Sequence, residues 1–290
     1  GVVFLTIFMD MVGFSVIFPL FPSMLDHYLT REASMGGGLV TSFVEMVKGY
    51  GFKGLDGEGF RLETVIFGGA LGSLYAILQF VFAPIWGRFS DRVGRRPVLL
   101  LTLGGTCLGY GLWIFAGSFW ILVLSRVIGG IASGNLSVAT ASIADVTSRK
   151  DRSKGMAIVG IAFGLGFVLG PALGGYASSW DWSTNSDSAL ALTPFSLAAL
   201  ISFCLAFVNW AWLAMRFRET LPVDKRGEGD DQPRPAIFQI KRVANPAVRR
   251  TCLSYLCYMI SFSGMEFTLT FLAVERSIHV YTEALNLLSN

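Results

Sequence analysis

The sequence predicts an all-α protein that crosses a membrane several times. Three observations carry this. Seven mostly apolar stretches punctuate the chain, each about 20 residues or longer, the length that spans a bilayer core at 1.5 Å per residue. Only 15% of the 290 residues are charged, and the mean hydropathy is +0.57, where soluble domains carry about a quarter charged. Those charges lie in a few clumps between the apolar stretches. A soluble domain of this length would need charge spread over its whole surface, so that class is set aside.

In order, the first span is Val2–Leu25, with Asp10, Gly13, Pro19 and Pro22. Residues 26–63 follow; Leu39, Phe43 and Val47 recur at helical spacing there and predict either a short amphipathic helix on the outer surface or a loop. The second span is Thr64–Trp86, where Gly68, Gly69 and Gly72 fit close helix contact. GRFSDRVGRR, Gly87 to Arg96, then reads as a short turn. Spans three to six are Pro97–Gly117, Phe119–Asp145, Lys154–Ser178 and Ala189–Met215. Residues 216–247 contain DKRGEGDDQPRP, a polar linker with little to bury. The seventh span is Val248–Val274. Three regions are predicted: a six-helix transmembrane bundle over 1–215, a linker over 216–247, and one further helix with a tail over 248–290.

The basic residues fix an orientation. Segments 87–96, 146–154 and 216–250 carry 17 Lys/Arg, and the alternate connections carry 4. The positive-inside rule puts the rich set in the cytoplasm, so the chain starts inside and its seventh helix ends outside. GRFSDRVGRR thus becomes a cytoplasmic turn and 216–247 a cytoplasmic linker. A plasma membrane or an endomembrane is expected. Cys107, Cys204, Cys252 and Cys257 lie inside apolar stretches, and His27 and His279 fall in separate connections, so no metal cluster, cofactor or nucleic-acid partner is expected. The apolar start at Gly1, with no small-residue cleavage site after it, predicts a trimmed chain rather than a signal peptide.

Charges inside a bilayer are costly and mark function. Asp10 sits roughly 12 Å from the inner end of the first span, Arg126 roughly 10 Å from the outer end of the fourth, and Glu266 roughly 8 Å from the outside on the seventh. Arg126 is expected to exchange between the two carboxylates as protons bind, or to form a static pair with one of them. Gln79 and Asn135 are uncharged polar residues at mid to inner depth, expected to line a cavity or to bond between helices. Tyr75, Trp113 and Phe163 offer aromatic surface to a substrate, to lipid or to the core.

Seven spans raise a receptor or membrane-scaffold reading that binds without transporting. Such receptors begin outside, whereas this chain begins inside. An embedded enzyme finds no nucleophile-base pair or metal cluster here. Four motifs instead resemble those of the major facilitator superfamily. Gly87-x-x-x-Asp91-Arg92-x-Gly94-Arg95-Arg96 is similar to its signature between helices two and three, and Arg126-x-x-Gly129-Gly130 to its second motif. Gly166-x-x-x-Gly170-Pro171-x-x-Gly174-Gly175 is similar to the helix-five motif of drug:proton antiporters. Arg218-Glu219-Thr220-Leu221-Pro222 resembles the end of the first half in tetracycline-efflux relatives. The chain looks closest to the animal tetracycline-transporter-like branch.

The resemblance implies a secondary carrier of small organic molecules that exports organic anions or drugs against protons. It implies a cytoplasmic latch at Gly87, Asp91, Arg92, Gly94, Arg95 and Arg96, and a sliding hinge at Gly166, Gly170, Pro171, Gly174 and Gly175. Its complete fold has two six-helix halves about a midplane site. The chain would supply the first half and one helix of the second. The rest of the C-terminal half is expected as the latch's partner, beside the lipid bilayer, a small-molecule substrate and protons. A fragment, a truncated gene model or a splice form is therefore expected, one that does not complete a transport cycle alone.

Overall fold

The computed structural model describes residues 2–34, 36–49, 62–148, 150–184, 188–227, 245–258, 260, 261, 264 and 265. The chain divides into two compact units, Gly1–Phe52 with Glu63–Glu228, and Lys53–Leu62 with Gly229–Asn290. The first unit contains α1 (Val2–Ser15), α2 (Phe21–Ser34), α3 (Leu39–Gly49), α4 (Leu62–Val93), α5 (Arg95–Ile114), α6 (Phe119–Ala132), α7 (Asn135–Val146), α8 (Arg152–Ala177) and α9 (Ser196–Arg216). Among the described residues the only β-pairing is an isolated bridge between Ala116 and Leu190. In the second unit residues 246–258 are helical, the start of the predicted seventh span. Its remainder, with Glu266, lies outside the described residues.

Six stretches are long and apolar enough to cross a membrane. Two of them are broken helices. The first runs from Val2 to Ser34, 33 residues, or about 50 Å. That exceeds the ~30 Å hydrocarbon core, so the helical stretch continues past the expected span end at Leu25, further than one crossing needs. Between α1 and α2 the residues Phe18–Leu20 form a 3₁₀ turn, because Pro19 has no amide to donate. The Tyr28 hydroxyl donates to the Ala116 carbonyl at 2.6 Å and ties α2 to the end of the bundle opposite the arginine-rich connections. The other broken span, α6 and α7, bends at Ser133 and Gly134. There the Trp86 indole N–H reaches the Ile131 carbonyl at 2.6 Å.

Three further expectations are corrected. Helix α3 exists, but Val40 and Val44 form its buried face, packed against α2 and α6, rather than Leu39, Phe43 and Val47. Leu39 is exposed, Phe43 is only half-buried, and the side chain of Val47 is outside the described set. The sixth helix begins at Ser196 instead of Ala189; the Ser196 hydroxyl accepts the Thr193 amide at 2.8 Å, and residues 189–190 pair with the α5–α6 corner. GRFSDRVGRR is not a loop, because α4 continues to Val93. Only Gly94, at φ 117°, separates it from α5, a conformation open essentially to glycine. Gly87 is helical and makes no turn.

The core is built where α1, α5, α7, α8 and α9 meet, around Ile7, Met11, Val98, Leu103, Val138 and Leu213. Helices α4 and α8 leave large side chains outside, with Ile77 61% and Val168 70% exposed. In a soluble protein such faces would aggregate. Such faces need lipid or further protein to cover them.

Candidate functional site

Polar side chains inside the bundle gather at two neighbouring points. At the first, Asp10 on α1 lies beside the Asn135 side chain at the start of α7. Asp10, Gln79 and Tyr75, with Phe14, Phe163 and Phe167, line a cavity of about 90 Å³. The bend at Ser133 and Gly134 brings Asn135 there. Its Oδ1 accepts the Leu136 amide at 2.9 Å. Gln79 makes a long 3.5 Å contact to the Ser133 carbonyl.

At the second point Arg126 on α6 is 4% exposed. Its guanidinium lies 4.8 Å from the Trp113 ring centre and 5.8 Å from that of Tyr110, and its Nε reaches Ser125 Oγ at 3.3 Å. Tyr75, Thr106, Gly109 and Gly129 complete its surroundings. Among the described residues Arg126 makes no salt bridge, so the expected contact with Asp10 is not formed. Tyr75 lines both points and packs against Phe14 at 5.0 Å. Tyr75 is therefore the side chain that the two points share in their linings. The second expected carboxylate, Glu266, lies outside the described residues.

The arginine-rich end carries a dense ionic network. Arg95 is 6% exposed and bridges two carboxylates: Asp91 Oδ1 at 2.7 Å and Asp145 Oδ2 at 2.9 Å. It also donates to Ser90 Oγ at 2.6 Å. Glu219, beyond α9, caps α5: its oxygens accept the Arg95 amide at 2.8 Å and the Arg96 amide at 3.1 Å. Those amides are unpaired donors at the positive end of the helix dipole. Burial alone would raise the Glu219 carboxyl, but the amides of Leu221, Arg95 and Arg96 and the Arg226 charge hold it below its usual range. A side chain at Gly94 would run into this carboxylate, which gives the glycine a second reason. Arg96 donates to the Ala214 carbonyl at 2.8 Å, while Arg88 and Arg92 are exposed.

Along α8, Gly166, Gly170 and Gly174 face α1 across backbone contact. A Cβ on Gly170 would collide with Ser15 and lie 2.7 Å from the Val12 carbonyl; one on Gly174 would collide with the Val16 carbonyl. Ser15 donates to the Gly166 carbonyl at 3.0 Å. Pro171 sits inside the helix, and Gly175 faces open space.

The sequence profile of the Major Facilitator Superfamily matches residues 3–288. The chain belongs to the major facilitator superfamily. The human protein named major facilitator superfamily domain-containing protein 10 is 35% identical over 95% of this chain and 60% of its own length. The class B tetracycline resistance protein of Escherichia coli is 34% identical over 73% of this chain and 42% of its own length. A crystal structure described as the human organic anion transporter MFSD10 (TETRAN) superposes with a TM-score of 0.74 at 34% identity, covering 95% of this chain and 64% of that one. The crystal structure of a peptide transporter POT (E310Q mutant), at 18% identity and TM-score 0.53, shares the fold. The chain thus spans about 60% of the length of the human relative. These relatives are transporters and resistance proteins, not enzymes, and a multi-pass membrane protein is what this chain is.

Within this major facilitator fold, sequence reasoning missed Tyr110, Asp145 and Glu219. Asp145 passed as the last residue of a span, and Glu219 as part of a motif with no role. Their partners are 50 and 124 positions away in the chain, so spacing could not reveal them.

Proposed function

We propose that this chain forms the first half, the linker and the opening helix of the second half of a proton-coupled exporter of organic anions. It would lie with its N-terminus in the cytoplasm and with 1–215, 216–247 and 248–290 as its parts. The observation that carries the reading is the pair of neighbouring buried polar points that share Tyr75 in their linings. A carboxylate in a small cavity can exchange a proton. A guanidinium with no salt bridge among the described residues can receive an anionic group. Protonation of Asp10 removes its negative charge beside Tyr75, which changes the field felt at Arg126 and at an anion bound there. Glu266 would provide the alternate carboxylate, and Gln79 and Asn135 the polar cavity wall. The Arg95 network with Glu219 would act as the cytoplasmic latch, and the α1–α8 stripe as the surface on which helix five slides. The human relative described as an organic anion transporter supplies the substrate class.

The test is flux through the full-length protein in vesicles. Asp10→Asn is expected to abolish organic-anion movement driven by a pH gradient while leaving expression and gradient-free exchange intact. Unchanged gradient-driven flux in that variant would refute the coupling role.

A further inference from the structure

A further, open cavity of about 420 Å³ lies away from the buried polar points, at the arginine-rich end of the bundle. It opens between the start of α1, the end of α7, the start of α8 and the segment just after α9. Val2, Phe4, Ile143, Ile158 and Phe217 give it apolar walls, and Arg216 and Arg218 stand at it; among the described residues no acidic one lines it.

Three features point to one kind of occupant. Both arginines are exposed, and among the described residues neither forms an ion pair; Arg216 only leans over the Trp212 ring at 5.5 Å. The Thr220 hydroxyl at the cavity is buried with no hydrogen-bond partner among the described residues. The rim is greasy, with Val146 65% and Ile158 45% exposed, and the cavity lies at the arginine-rich end, which the positive-inside rule sets against the cytoplasmic face of the bilayer. Two free cations and an orphaned hydroxyl beside an apolar slot match a phosphate joined to acyl chains. A hydrocarbon lacks the charge that the arginines require, and a free phosphate would leave the slot unfilled.

We propose that this cavity binds one anionic phospholipid, its phosphate on Arg216, Arg218 and Thr220 and an acyl chain along Phe4 and Ile158. Basic pockets between spanning helices hold anionic headgroups through this combination. Each arginine near such a headgroup is expected to contribute about fivefold in affinity, so removing both costs about 30-fold.

The experiment uses the full chain purified in a neutral detergent. Native mass spectrometry and thermal unfolding are followed on adding phosphatidylglycerol, phosphatidylcholine of the same acyl chains, or glycerol 3-phosphate. Expected are one tightly retained phosphatidylglycerol with thermal stabilisation, much weaker retention of phosphatidylcholine, and no effect of glycerol 3-phosphate. Arg216→Gln with Arg218→Gln should weaken phosphatidylglycerol about 30-fold. Lys150→Gln with Lys154→Gln removes the same charge from exposed positions off the cavity and should leave binding within about twofold. Val146→Trp, at an exposed rim position, fills the slot without touching the charges and should also abolish retention. Circular dichroism confirms that each variant folds. Equal retention of both lipids, equal loss in the lysine variant, full binding in the tryptophan variant, or protection by glycerol 3-phosphate alone would each overturn the proposal.

Discussion

The packing of α1 on α8 makes a sharp prediction about single methyl groups. At Gly170 an added Cβ meets Ser15 and comes within 2.7 Å of the Val12 carbonyl oxygen. The obstacle on the Val12 side is backbone, so no rotamer change removes it, and α1 must shift. Overpacking of this kind costs about 1–3 kcal/mol. Gly164, on the same helix, faces open space within 4 Å. Alanine is favoured over glycine inside a helix by about 0.5–1 kcal/mol, and that gain is common to both sites. The two substitutions should therefore differ by about 1–3 kcal/mol, with Gly164→Ala neutral or stabilising. Gly174→Ala should resemble Gly170→Ala, because the Val16 carbonyl stands in its way. Gly175→Ala should resemble Gly164→Ala, although Gly175 belongs to the same motif. The assay is denaturant unfolding in fixed mixed micelles, followed by tryptophan fluorescence. A double-mutant cycle of Gly170→Ala with Ser15→Ala should show coupling, since trimming the hydroxyl relieves part of the clash. Equal stabilities for Gly170→Ala and Gly164→Ala would refute the close approach of α1 and α8.

Three other outcomes are expected. Arg95→Ala strips the shared cation from Asp91 and Asp145 and should destabilise the fold by about 3–5 kcal/mol in the same micelle assay, with Asp145→Asn recovering part of the loss; no effect would remove the network from the account. Glu219→Gln should cost about 0.5–2 kcal/mol by weakening the cap on α5. Because the folded-state carboxyl is held low, that contribution is complete above the unfolded carboxylate range and disappears as pH falls through the lower folded value, so wild type and variant should converge at acid pH and separate near neutrality. For topology, in a cysteine-free background a cysteine at Arg88 should become reactive to an impermeant maleimide once the plasma membrane alone is permeabilised, whereas one at Ser183 should react either in intact cells or only after internal membranes are opened too; the reverse pattern would invert the orientation.

Much of the fold was legible because a bilayer imposes one requirement, about 20 apolar residues per crossing, and this chain meets it six times in the described part. The ends of elements were less legible. Charge density marked Gly87 to Arg96 as a turn, yet exposed Arg88 and Arg92 sit comfortably on a helix extending into water, and only Gly94 carries the backbone conformation that stops it. The α3 helix was visible in its periodicity, but which stripe faces inward depends on α2 and α6, which a local pattern does not contain. At the buried site Asp10, Arg126, Gln79 and Asn135 stood out as polar residues in apolar runs. Depth along a helix said nothing of azimuth, so Arg126 was expected to exchange between Asp10 and Glu266 or to pair with one of them, and Tyr75, named only as aromatic surface, gave no sign that it lines both polar points. Partners such as Arg95 and Asp145 come from different spans and are joined only by packing.

The most direct test of the central claim is the accumulation of a fluorescent organic anion in vesicles carrying the full-length protein, measured with and without an imposed proton gradient. The account predicts uphill movement of the anion opposite to the protons, collapse when a protonophore is added, and loss of uptake in Arg126→Gln. Simple equilibration of the anion, indifferent to the gradient, would contradict it.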